Sequence, residues 1–276
     1  MVARTPAQIR EHYVVERELA ARLRTAPREQ RSALYGAVYD ELFRRLPHHP
    51  QLLAQGASLA EWRRQSVEHQ WRLVRRFIPR DGVFLEVGAG DCALSLRASG
   101  AARQVYAVDV SAELTRGIAL PANLELRLTD GAAVPAHSGA VHVAFSDQLM
   151  EHLHPEDALA QLREIQRCLV AGGVYVCITP NRLNGPHDIS GNFDEQATGL
   201  HLREYSAREL RALFREAGFR EVRFFAGARG WYVRVPYALV ALAEAFLEPL
   251  PRRLRRAIGA LAPMRALLGV RAAAVK

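Results

Sequence analysis

The sequence predicts an α/β fold: a doubly wound, mostly parallel sheet of seven strands with helical extensions at both ends. Three observations predict it. Short apolar runs alternate with stretches of helical period between Val83 and Val235. A glycine-rich loop, Gly88-Ala89-Gly90, closes the first run and opens a helix. The ends of later runs carry Asp109, Asp130 and Ser146-Asp147, polar groups at the edge where such sheets bind ligands.

The elements follow in order. Val14, Val15, Leu19 and Leu23 form one apolar helical face, and Leu34, Val38, Leu42, Phe43 and Leu46 form another. Pro47-His48-His49-Pro50 breaks the pattern, and a further helix is predicted from Ser58 to Phe77, with Trp62, Val67, Trp71 and Val74 on its buried side. The pattern changes at Pro79. Val83–Val87 is the first strand, and a helix runs on to about Ser99. Val105–Val108 is the second strand, Leu124–Leu128 the third and Val141–Phe145 the fourth. A helix from Pro155 to Leu169 precedes a fifth strand, Val174–Thr179. After a helix over about Ala207–Ala217, Phe219–Phe225 and Trp231–Val235 close the sheet. This is a Rossmann-like order. It divides the chain into an N-terminal helical extension or lid (1–80), a nucleotide-type ligand domain (81–235) and a basic amphipathic helical tail (236–276).

Composition narrows the function classes. The chain has 276 residues, 49% hydrophobic and 24% charged, the balance of a globular protein. Its formal charge of +8 suggests a polyanion partner, but Lys276 is the only lysine and the charge is uneven. Residues 1–80 hold 15 basic and 8 acidic residues, 81–235 hold 15 and 19, and 236–276 hold 7 and 2. An acidic middle repels a phosphate backbone, and no basic stretch interleaved with aromatics is present, which argues against nucleic acid. Cys92, Cys168 and Cys177 are unclustered, so neither a disulfide framework nor a metal site is indicated. Charged residues from Arg4 to Arg24 leave no apolar signal core, and a cytoplasmic location is expected.

Gly88-Ala89-Gly90-Asp91-Cys92-Ala93 matches GxGxxA, and Asp109 stands where a dinucleotide site keeps its ribose-binding acid. An NAD-dependent oxidoreductase is therefore one reading. Glu86 and Asp91 oppose it, because a pyrophosphate seeks an anion-friendly helix N-terminus and two carboxylates there repel it. They suit a ligand with an ammonium and a sulfonium and no phosphate. A hydride-transfer tyrosine–lysine pair is also disfavoured, since the sole lysine is terminal.

With Phe84-Leu85-Glu86-Val87-Gly88-Ala89-Gly90-Asp91, Val105-Tyr106-Ala107-Val108-Asp109, Asp130-Gly131 and Met150-Glu151-His152-Leu153 in this order, the chain resembles the class I SAM-dependent methyltransferases. Within them it is similar to the small-molecule enzymes of the quinone-biosynthesis type, over about residues 80–235. The resemblance implies S-adenosyl-L-methionine as cofactor. Glu86 would lie near its ammonium, with Gly88 and Gly90 giving the backbone approach and Asp91 beside them. Asp109 would accept from both ribose hydroxyls, Asp130 with Gly131 would hold the adenine, and Ser146 would border the methyl group. Cys92 stands where a third glycine is common, and His142 where an acid is common. The Asn-Pro-Pro-Tyr type of motif used for amino groups of bases or glutamine is absent.

Methyl transfer needs orientation and desolvation more than covalent catalysis, and a hydroxyl or amine acceptor adds a need for a base. Candidates are His152 after strand four, and His187, Asp188 and His201 in the long polar segment from Thr179 to Ser206. Each also has a plain reading as local scaffolding. Ser206 and Glu209 form a capping-box pattern. The expectation is methyl transfer to a small-molecule or lipid-like acceptor, with O-methylation favoured. A methyltransferase-like binding protein without turnover is the remaining alternative. The tail reads either as a helix docked on the domain with solvated arginines or as one lying at an anionic membrane surface.

Overall fold

In the computed structural model, which describes residues 4–50, 57–110 and 118–276, two helices precede everything else. α1 (Pro6–Thr25) starts at a capping box of Thr5 and Gln8, and α2 (Arg28–Arg45) follows after a short turn. α3 (Ala57–Val74) leads into β1 (Val83–Val87). The succession is then α4 (Ala93–Ser99), β2 (Gln104–Asp109), β3 (Leu124–Leu128), β4 (Val141–Asp147), α5 (Pro155–Cys168) and β5 (Leu169–Thr179). α6 (Ala207–Glu216) begins at Ser206, whose side chain accepts from the Glu209 amide while Glu209 accepts from the Ser206 amide, the expected capping box. β6 (Glu221–Ala228) and β7 (Trp231–Val235) form a hairpin. The chain ends with α7 (Tyr237–Leu247), α8 (Arg252–Ala260), α9 (Ala262–Leu268) and β8 (Val270–Val275).

The sheet order is β3-β2-β1-β4-β5-β8-β6-β7. β1 to β5 are parallel, and β8 pairs antiparallel with both β5 and β6. The sheet therefore has eight strands, not seven. The expected tail is helical only to Leu268, and its last residues form an inner strand buried at Val270, Ala272, Ala273 and Ala274. Val270-Arg271-Ala272-Ala273-Ala274-Val275 carries little strand signal because alanine has low strand propensity, and its small side chains fit where helices cover both faces. β5 begins five residues before the predicted Val174, with a register shift opposite Val141 and Val143.

Alternation within strands builds two cores. Leu85, Val87 and Ala144 join α1, α2, α5 and α6 on one face. Phe84, Val143 and Phe145 join Val67 and Trp71 of α3 and Leu94 and Ala98 of α4 on the other. Trp71 is core as expected, whereas Trp62 on the same helix is exposed. α1 and α2 lie over the carboxyl edge. Arg31 of α2 donates from Nε to Asp157 of α5 at 2.7 Å, both side chains being buried. Arg24 of α1 donates to the carbonyls of Thr198, Gly199 and His201 in the segment after β5.

Candidate active site

A cavity of about 340 Å³ opens beyond the ends of β1, β2 and β4. One side is the nucleotide-type edge: Val87, Gly88, Val108, Asp109, Thr129 and Gly131. The other is built by α1, α2 with the turn after it, and the 179–206 segment, which place Glu16, Tyr39, His49, Asp188 and His201 on the same wall as His152.

The glycine loop turns where the chain needs a left-handed backbone. Gly88 has φ 75° and Gly90 has φ 53°, conformations that carry no side-chain penalty in glycine. A Cβ at Gly88 would also stand 3.2 Å from Leu149. Cys92 adopts φ 56° as well, a left-handed conformation that glycine enters without penalty. The Gly88 amide donates to the Val108 carbonyl at 2.8 Å, and the Gly90 amide donates to Asp109 Oδ2 at 2.7 Å, so the loop is tied to β2.

The other expected cofactor residues are placed unevenly. Glu86 lies buried beneath the loop and does not line the cavity; its carboxyl accepts from Ser95 Oγ at 2.5 Å. Burial pushes its pKa up to about 8, with the Ser95 hydrogen bonds opposing. Asp91 is exposed on the outer side of the loop, where it accepts from Arg63 Nε of α3 at 2.8 Å and from the Ala93 amide at 3.1 Å. Asp130 accepts from the amides of Ala132 and Ala133, at 3.0 and 2.8 Å, which holds its carboxyl below the usual range. It borders a neighbouring pocket with Tyr35 and Asp157. Gly131, at φ 89°, does line the main cavity, and its backbone is so close to Tyr35 that a Cβ would come within 2.9 Å of the ring. Ser146 is fully buried, its hydroxyl 2.7 Å from that of Tyr175, and its side chain serves the core.

The acceptor-side candidates separate more sharply. His152 Nδ1 lies 3.0 Å from the Tyr39 hydroxyl and 3.1 Å from the Leu200 carbonyl. Burial, reinforced by the neighbouring His201, lowers its pKa to about 3, so it stays neutral. His201 sits with its ring 4.8 Å from that of His152 and its Nδ1 2.7 Å from Glu204 Oε1. Burial alone would lower the His201 pKa, but the Glu204 hydrogen bond and the charges of Glu151, Glu204 and Asp188 raise it above the ordinary value. Asp188 lines the cavity and caps Ser190 through Oδ1, while its buried Oδ2 has no hydrogen-bond partner. His187 is turned away: its Nε2 lies near the Asn181 carbonyl and Asn184 Oδ1, and it does not reach the cavity.

Sequence reasoning missed Glu16, Tyr39, Phe43, His49 and Gln148. Tyr35, Tyr39 and Phe43 recur every four residues, so an aromatic stripe was hidden within what reads as an ordinary apolar helix face. Glu16 is buried and paired with His12 Nε2 at 2.6 Å, and it accepts from the Leu200 amide at 3.2 Å. Ligand atoms of Glu151, His152 and His201 lie within 4.8 Å of one another, as do those of His12, Glu16 and His49. We assign a metal to neither group.

Asp109 lines the cavity beside the glycine loop, whose amides face inward to β2 and Asp109. Glu86, kept protonated by burial up to about pH 8, and Asp91, paired with Arg63, do not present the two repelling charges at the helix start that the sequence suggests.

Residues 84–173 match the family model of a methyltransferase domain. Among curated protein sequences, none matches the chain. Several solved structures share the fold. A putative methyltransferase of Haloferax volcanii, solved with a methyltransferase activator, is 18% identical with a TM-score of 0.52, over 78% of this chain and 94% of that one. A SAM-dependent methyltransferase of Archaeoglobus fulgidus is 15% identical with a TM-score of 0.52, over 88% and 100%. A phosphoethanolamine N-methyltransferase 2 of Haemonchus contortus, in complex with phosphomonomethylethanolamine and S-adenosylhomocysteine, is 16% identical with a TM-score of 0.51, over 76% and 52%. The ordered motifs, the loop tied to Asp109 and the matched domain converge: this chain carries a methyltransferase domain over residues 84–173, with S-adenosyl-L-methionine as its cofactor.

Proposed function

We propose that the protein methylates a hydroxyl oxygen of a small-molecule or lipid-like acceptor held between α1, α2 and the 179–206 segment. The observation that carries this reading is His201 at the acceptor side of the cavity, with its Nδ1 2.7 Å from Glu204 behind it and both residues buried. Asp109, Gly88 and Gly131 would hold the nucleoside, with Glu86 beneath the loop. S-adenosyl-L-methionine supplies a methyl group already activated by its sulfonium.

The protein's own residues then orient, dry and deprotonate. Tyr39, Leu42, Phe43 and Leu200 exclude water from the acceptor side. Glu204 accepts from Nδ1–H of His201 and fixes that tautomer, which leaves Nε2 to take the acceptor proton. Glu204 is itself held by the His187 amide at 2.6 Å, so His187 contributes through its backbone. His152, neutral and tied to Tyr39, positions the pocket wall and is a poor proton acceptor.

A raised His201 pKa means that the base form accumulates only above the ordinary value of 6.5. Turnover on a panel of phenols, quinols and sugars should therefore rise with pH through an inflection above 6.5. His201→Asn should cut kcat about 100-fold or more and abolish that inflection, with affinity for the cofactor preserved. An unchanged pH profile in His201→Asn contradicts the base assignment.

A second reading rests on Glu16 and Asp188. His12 and the Leu200 amide keep Glu16 below its usual range despite its burial, and with Asp188 it places carboxylates at the acceptor side. They would suit a cationic amine. Activity on amines and none on hydroxyl acceptors would favour N-methylation.

A further inference from the structure

The helices α7 to α9 are inserted between the β6–β7 hairpin and β8, and their inner faces pack around Leu183, Leu247 and Leu268. Their outer faces are not covered. On α7, Leu239, Leu242 and Phe246 are exposed at helical spacing, Leu242 by 69% and Phe246 by 62%, and no charged residue shares that stripe. Leu254 and Leu261 continue apolar exposure along α8 and its end.

The charge beside this surface is net positive. The stretch 237–268 contains five arginines and two acids. Both acids are engaged: Glu244 accepts from Asn181 Nδ2 and the Ala207 amide, and Glu248 pairs with Arg182 and Arg208. Arg253 and Arg256 stand exposed on α8. No helix among the described residues is long and apolar enough to cross a membrane.

We propose that α7 and α8 form a docking surface for an anionic lipid bilayer. The stripe of α7 enters the interface while Arg253 and Arg256 meet the headgroups, the combination by which peripheral helices bind. A second copy of the chain fits less well, because it would bring the same arginines together. The surface also reaches the acceptor side. Arg252 and Arg256 donate to the Gly191 carbonyl at 2.7 and 3.2 Å, three residues beyond Asp188, and Glu244 ties the two ends of the 179–206 segment. Docking would thus hold the acceptor segment toward the bilayer. The proposal concerns where the enzyme works and holds whichever atom is methylated.

The test is co-sedimentation of the full chain with vesicles of phosphatidylcholine alone and of phosphatidylcholine mixed with phosphatidylglycerol. Binding is expected only with the anionic lipid and should weaken as salt rises. Arg253→Ala should weaken it about fivefold. Phe246→Glu should weaken it about tenfold or more, as should Leu254→Glu on the other helix if Phe246→Glu lowers the Tm. Each variant should keep its affinity for S-adenosylmethionine, which separates this outcome from failure of the methyl-transfer reading. Absence of sedimentation, equal binding to both vesicles, or variants that sediment like the parent would overturn the proposal. So would a dimer without lipid that Phe246→Glu dissociates.

Discussion

Glu86 shows how the site treats a single carboxyl. Its side chain is buried beside Ser95, and burial raises its pKa from 4.5 to about 8. Between those values the folded chain keeps a proton that the unfolded chain has released, so this group makes stability fall as pH rises through that window. Glu86→Gln should make the decline of the urea midpoint with pH shallower, and parallel slopes in the two proteins would contradict the assignment. Glu151, raised to about 7 by burial, leaves a residual slope in the variant. The sequence shows Glu86 and its place before the loop. It does not show that the carboxyl is screened by Ser95, because Ser95 reads only as a position in a helix. Asp91 and Ser146 teach the converse: adjacency to a motif put both on the candidate site, whereas the side chains turn to Arg63 and Tyr175.

At the scale of elements, β8 is the most consequential departure. Read as the end of a basic tail, residues 270–275 would be dispensable. Paired between β5 and β6, they satisfy the ladder on both sides, and Lys276 Nζ donates to the carbonyls of Arg167 and Leu169. Removing residues 270–276 should leave two inner strand edges open and yield aggregated protein or a chain without a cooperative melt. A truncated chain that melts like the parent would restore the tail reading. The strands from β1 to β5 were legible because each is an apolar or alternating run bounded by a turn signal, β3 by alternation alone and the others with branched or aromatic residues. β8 has Gly269 before it, but its middle is Ala272-Ala273-Ala274, which carries no strand signal. The N-terminal helices were legible as helices from their apolar spacing, but not as the roof of a cavity. That role depends on Arg31 reaching Asp157 and Arg24 reaching the 197–201 backbone, contacts across more than a hundred residues of chain.

At the scale of the whole molecule, the positive charge and the cofactor site occupy different places. The +8 total is carried by the flanks, while the middle segment holds 19 acidic and 15 basic residues. Asp109 lines the cavity, Glu86 lies beneath its loop, and Asp91 and Asp130 stand at the same edge of the sheet. Of these acids only Asp109 faces the cavity, where a carboxylate favours a ligand without phosphate, and the basic flanks are left for packing and, at α8, for a surface. Calorimetric titration of the full chain with S-adenosylmethionine, S-adenosylhomocysteine and NAD tests this selection most directly. Both sulfur nucleotides should bind and NAD should not, and Asp109→Ala should weaken the sulfur nucleotides by roughly 10- to 100-fold through loss of a charged acceptor. Binding of NAD without either sulfur nucleotide would contradict the account.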